Sequence, residues 1–327
     1  MLRSFLHERK KGFARPLIVY LVVALGLPWL VTLPLYLSGK GLAHGYFTPI
    51  ALAMMATPMI SALITVFAVE RYPMTAKDGQ ISGWQRLGLT FTKPYRRFFG
   101  YFVLAWLGTI LLVFLALVTS SWFGFYRFDF ANLSGLQSVL IEQASVHGRT
   151  DDIAKVSATV HEVMFAQIIS TIFFSFLNII PALGEEVGWR GWLMPHLSRL
   201  GVLPTIVFTG IIWGLWHLPL LALGYNYPGK NLLVSAGAMV GMCTVMGALF
   251  YWVRLRSCSV WPAAMAHGAL NGAAGFAFVF GAAPLIYDTS LATILGVTGW
   301  IIPGVLVAII WLTGGFKPTE STELQPA

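Results

Sequence analysis

Charge is what this chain most lacks. Only 10% of its 327 residues are Asp, Glu, Lys or Arg, against roughly 25% in soluble domains. Cysteine is almost absent. Cys243 and Cys258 lie in or beside apolar runs, with no CxxC or Cys/His spacing. That argues against a disulfide framework and for small apolar packing residues. No internal repeat and no soluble domain can be recognised. The ~10-residue alternating segments of a membrane β-barrel are missing as well.

What is present is apolar: 57% of the residues are hydrophobic, in several continuous runs. Runs near 20 residues span a bilayer as helices, because lipid satisfies no backbone polar group. The expected fold is therefore all-α, a polytopic membrane protein enclosing an intramembrane polar cavity. Eight spans are predicted, at Leu17–Ser38, Thr48–Val69, Phe99–Ser121, Met164–Leu183, Leu203–Leu223, Asn231–Val253, Ser257–Gly281 and Ile294–Thr313. The first is longer than the apolar part of a signal peptide and lacks an A-x-A site, so it reads as a retained span.

The net charge of +8 is carried in short segments between these runs. That excludes nucleic acid as the expected partner and points to membrane lipid. With the N-terminus placed in the cytoplasm, 16 of the 21 Lys and Arg residues fall on the inner side. This predicts a multi-pass protein of the cytoplasmic (plasma) membrane with both termini inside.

The chain reads as a single membrane domain, 1–327, with a motif-bearing core at 164–281. The basic cytoplasmic loop at 70–98, with interleaved aromatics, is expected along the anionic inner leaflet. The outer loop at 122–163 contains a short amphipathic helix, Leu136–Val146. The polar tail, Phe316–Ala327, is expected to be disordered. Oligomeric state is not legible.

Three polar sets interrupt the apolar runs, and ionisable groups at membrane depth are rarely kept without a use. Glu185 and Glu186 follow the fourth run. Glu186 and Arg190, four apart, share a helix face in the favourable order for an ion pair. Glu185 points about 100° away and has no partner in its own neighbourhood. The fifth run holds Trp213 and His217, one turn apart, with Pro219 weakening the helix beyond. The seventh holds His267 and Asn271, also one turn apart. Gly184/Gly188 and Gly268/Gly272 form GxxxG seams for close helix approach. Each set alone could be a wet helix end or interhelical polar glue. Together they supply a carboxylate to activate water, imidazoles for proton work and donors for an oxyanion, which suits amide hydrolysis.

At these residues the sequence resembles the CAAX protease and bacteriocin-processing family (CPBP, or Abi), which includes the type II CAAX prenyl endopeptidases. Glu185-Glu186-x3-Arg190 matches its EExxxR motif. Trp213-x3-His217 matches FxxxH with Trp for Phe, and His267-x3-Asn271 matches its third motif. The resemblance covers roughly Phe165 to Gly281. It implies that Glu185 activates water, His217 assists, and His267 and Asn271 stabilise the oxyanion. Glu186 and Arg190 would hold the site, or Glu186 would share the role of Glu185. Trp189 and Trp213 are expected to wall a substrate cavity. No cofactor is expected to be required; the alternative is zinc, held by Glu185, His217 and His267.

Hydropathy places Glu185 near the inner surface and both histidines deeper. For the three to meet, the fourth helix must continue through Glu185–Arg190 toward Arg199. Glu185 is then expected within ~10 Å of His217 or His267, since reacting groups must come within about one water of each other.

The expected function is an intramembrane endopeptidase, metalloprotease-like if the zinc alternative holds, acting on a membrane-associated or lipidated protein or peptide. One alternative is a non-catalytic membrane scaffold or bacteriocin-immunity-type protein. Another is a proton-coupled transporter, against which the sequence shows no inverted repeat or paired broken helices.

Overall fold

The computed structural model describes residues 12–76, 79–146 and 150–317. Arg3, Arg9, Lys10, Lys11, Lys77, Arg149 and the tail from residue 318 lie outside them. The regular elements among the described residues are helices, joined by turns and irregular segments, with an isolated bridge between Phe128 and Gly281.

The main helices are α1 (Ala14–Leu37), α2 (Phe47–Val69), α3 (Gly83–Arg86), α4 (Tyr95–Trp122), α5 (Ser134–Val146), α6 (Thr150–Glu186), α7 (Val202–Trp216), α8 (Leu232–Ser257), α9 (Val260–Ala273) and α10 (Val297–Leu312). Six helical segments among the described residues are long and apolar enough to cross a membrane: α1, α2, α4, Lys155–Leu200, α8 and Val260–Phe280. The chain is a multi-pass membrane protein. The predicted fifth and eighth spans form the shorter apolar helices α7 and α10. α7 stops at Trp216 because Pro219 has no N–H to offer the preceding turn.

Two other sequence expectations shift. The third span begins at Tyr95, so Arg96, Arg97 and Phe98 are helical, and Phe98 is buried. The tail is anchored at its start: Phe316 is buried, its ring 5.7 Å from Tyr251 and 6.0 Å from Trp311. The amphipathic outer helix appears as α5.

α8 and α9 form a tight hairpin. Cys258 takes a left-handed conformation (φ 55°) that ends α8, and Ser259 caps α9 by accepting from the Trp261 N–H. α9 then runs back along α6, which presents Phe165, Ile169, Phe173, Leu177 and Ile180 outward. In a membrane span such a face meets lipid.

Small residues set how closely the helices approach. A Cβ on Gly268 would lie 2.8 Å from the Ser175 carbonyl oxygen of α6. One on Gly188 would lie 2.4 Å from Pro58 Cβ, where α2 is broken at Ala56. The glycine seams read from the sequence are thus real contacts, α9 on α6 and α6 on α2.

Candidate active site

α6 does not end at the glutamates. It passes into a π-turn, Val187–Leu193, and continues as Met194–Leu197. One helical path therefore carries Glu185, Glu186, Trp189 and Arg190 into the protein interior, as the depth argument required. π-turns insert one extra residue per turn and are frequent at functional sites. Gly191 lets this turn sit on the backbone of residue 87, its would-be Cβ 2.6 Å from the Leu87 oxygen.

The two glutamates are almost fully enclosed, Glu185 at 2% and Glu186 at 0% exposure, and they have different partners. Glu186 Oε1 lies 2.8 Å from Arg190 Nη1, with both side chains at 0% exposure. The same oxygen is 2.8 Å from His267 Nδ1, so α9 is tied to the ion pair. The Arg190 guanidinium lies 4.5 Å from the centre of the Trp213 ring and 5.1 Å from that of Phe250. Those are cation–π distances, which help to carry a buried charge.

Glu185 is held by indoles. Trp213 Nε1 donates to its Oε2 at 2.8 Å, and Trp189 Nε1 donates to the same oxygen at 3.3 Å. This corrects one expectation. Glu185 has a local partner after all, Trp189, one turn on. Trp189 and Trp213, expected to wall a cavity, are both fully buried, with their indole N–H groups on the carboxylate. Glu185 Oε1 accepts no hydrogen bond from a described residue and faces His267 Nε2 at 4.0 Å.

His267 is thus gripped at one nitrogen by Glu186 and presents the other to Glu185. Its ring packs against Phe250, with centroids 5.9 Å apart. His217 caps the end of α7 and is half-buried. Its Nδ1 donates to the Trp213 carbonyl at 2.9 Å, which leaves Nε2 as the free ring nitrogen. It neighbours the site through Trp213, whose ring lies 6.2 Å from His217 and 5.3 Å from His267.

Asn271 is one turn beyond His267 but exposed. It lines a groove of about 610 Å³ with Gln167, Ser170, Thr171, Phe174 and Asn178 of α6. The structure therefore gathers Glu185, Glu186, Arg190, Trp189, Trp213 and His267 in one network, with His217 at its edge and Asn271 on the adjoining groove. Phe250 and Asn178 were not singled out from the sequence. Asn178 had a signal, being seven residues before Glu185 and so on the same helix face.

Among the described residues, no three His, Cys, Asp or Glu side chains are placed to hold one ion. Glu185 Oε2 and Glu186 Oε1 are engaged by N–H donors.

Residues 158–273, which contain every one of these site residues, match the family model for type II CAAX prenyl endopeptidases, Rce1-like. Over this stretch the chain is similar to the CAAX proteases. It is 33% identical over 86 residues to the CAAX prenyl protease 2 of Methanococcus maripaludis. That match covers 25% of this chain and 32% of the relative, so the aligned part is about a third of that CAAX protease's length.

Proposed function

We propose that this chain is an intramembrane endopeptidase that hydrolyses a peptide bond in a membrane-associated or lipidated protein by means of a glutamate-activated water. The observation that carries the reading is the division of labour between adjacent carboxylates. Glu186 is committed to Arg190 and His267, while Glu185 keeps one oxygen facing His267 Nε2 at 4.0 Å.

In this reading Glu185 Oε1 takes a proton from water, and the hydroxide adds to the peptide carbonyl carbon. His267, when doubly protonated, donates from Nε2 to the oxyanion, while Glu186 holds it through Nδ1. Asn271 supplies a further donor from the groove. The C–N bond then breaks, and Glu185 returns its proton to the leaving amine. His217 assists in placing the water. No step needs a metal. We place the protein in the cytoplasmic membrane with both termini inside, on the distribution of Lys and Arg.

Because the archaeal relative is a CAAX prenyl protease, a prenylated C-terminal peptide is the first substrate to test. The experiment is cleavage of a farnesylated peptide ending in Cys-aliphatic-aliphatic-X by purified protein, beside its non-lipidated counterpart. Site-specific cleavage that depends on Glu185 supports the reading. Binding of both peptides without cleavage would favour the non-catalytic scaffold.

A further inference from the structure

Away from the glutamates, two arginines are buried where charge is hard to accommodate. Arg86, at the end of α3, is 4% exposed, and Arg254, in the last turn of α8, is 9% exposed. They belong to one locality. A Cβ on Gly88, two residues after Arg86, would lie 2.6 Å from Arg254 Nη2 and 3.0 Å from its Cζ. Gly88 has φ +71°, and its carbonyl accepts from the Val260 N–H at 3.0 Å, which fixes the turn against the start of α9. The guanidinium of Arg254 thus lies directly on the chain that carries Arg86, and the two positive charges repel.

Neither arginine has an ion pair or a side-chain hydrogen bond among the described residues, and the Nε of each is buried without a partner. Arg86 and Arg199 both bear on His196, so that flank is basic too. Glu70 accepts from Trp192 Nε1. A cation in the last turn of a helix is favoured by the helix dipole. That accounts for Arg254 being basic. It does not account for burial beside a second unpaired arginine, since an uncompensated buried charge is strongly destabilising.

We propose that Arg86 and Arg254 form a binding site for a phosphoryl anion at the membrane interface. The chemistry selects the ligand. Two planar forks in one locality offer more N–H donors than the two oxygens of a carboxylate can take, and a phosphoryl group brings further oxygens. Two positive charges match a phosphomonoester, which carries −1.5 to −2 near neutrality. The place fits a headgroup as well as a free anion. Arg254 stands at the end of one span, and α3 lies between the ends of α2 and the start of α4. The site is separate from the glutamate network and does not depend on the proposed hydrolysis.

The test is thermal unfolding of the purified full-length protein in a neutral detergent. The probes are inorganic phosphate, short-chain phosphatidic acid and, as control, short-chain phosphatidylcholine. Phosphatidic acid is expected to raise Tm by ~3–5 °C where phosphatidylcholine does not. A similar rise with inorganic phosphate assigns the site to the free anion; a rise with phosphatidic acid alone assigns it to a headgroup. Arg86→Gln and Arg254→Gln should each reduce the shift, and the double variant should abolish it, while Arg86→Lys keeps part of it. If Arg254→Gln does not fold, Arg86→Gln and native mass spectrometry of lipid retained by the unaltered protein decide the matter. No shift with either phosphate probe, or an equal shift in Arg86→Gln, overturns the proposal.

Discussion

His267 Nδ1 and Glu186 Oε1 are 2.8 Å apart, and this one contact ties α9 to the buried Glu186–Arg190 pair. The three side chains form a closed unit of donor, acceptor and donor. Its consequence is a separation of partners between neighbouring carboxylates that look alike in the sequence.

Removing Glu186 should act first on stability. Glu186→Ala leaves Arg190 buried without its partner, and breaking such a pair costs about 3–5 kcal/mol. Thermal unfolding in detergent should show a large fall in Tm, with activity lost alongside. A variant that stays as stable as the parent protein would mean that the pair does not hold the site.

The indole donors to Glu185 can be removed without emptying the core. Trp213→Phe keeps an aromatic ring beneath the Arg190 guanidinium but deletes the 2.8 Å N–H to Glu185. Hydrogen bonds to charged groups are worth about 1.5–3 kcal/mol. If that orientation is needed in the transition state, kcat should fall roughly ten- to a hundred-fold with KM little changed. Trp189→Phe, which loses the longer 3.3 Å bond, should cost less. Equal and negligible losses in the two variants would count against an orienting role.

Much of this network was legible, because it rests on helical spacing. The Glu186–Arg190 pair is an i,i+4 relation, and the glycine seams are a four-residue rhythm. The membrane helices follow from the apolar runs. What escaped depends on partners distant in sequence. Trp213 reaches Glu185 from 28 residues away. His217 looked like a mid-span residue, but Pro219 makes it a helix cap. Asn271 shares a face with His267 on paper, yet α6 packs close enough at Gly268 to leave it on the groove. Arg86 and Arg254 read as loop and helix-end charges, and their burial, with Gly88 packed on the Arg254 guanidinium, depends on contacts distant in sequence.

The α6–α2 seam offers a test of packing. At Gly188 a methyl group would meet Pro58 Cβ at 2.4 Å and the Pro58 carbonyl carbon at 2.7 Å. Gly188→Ala should cost about 1–3 kcal/mol and displace the π-turn that carries Arg190. Gly304→Ala, where nothing lies within 4 Å, is the control and should be neutral or slightly stabilising. Matching Tm values for the two would show that the helices do not meet there as described.

Metal dependence can be settled directly. On the proposed mechanism, cleavage persists after exhaustive chelation. Loss of activity with a chelator and rescue by zinc would instead place Glu185, His217 and His267 in a ligand set formed only when the metal binds.

The most direct test of the central claim is Glu185→Gln, assayed for peptide cleavage and for thermal stability on the same preparation. The amide keeps the size of the side chain and an oxygen for the two indole donors, but it cannot act as the base. The account predicts turnover reduced by ~10²–10⁴-fold with Tm close to that of the parent protein. Turnover that survives in a folded Glu185→Gln protein would contradict it.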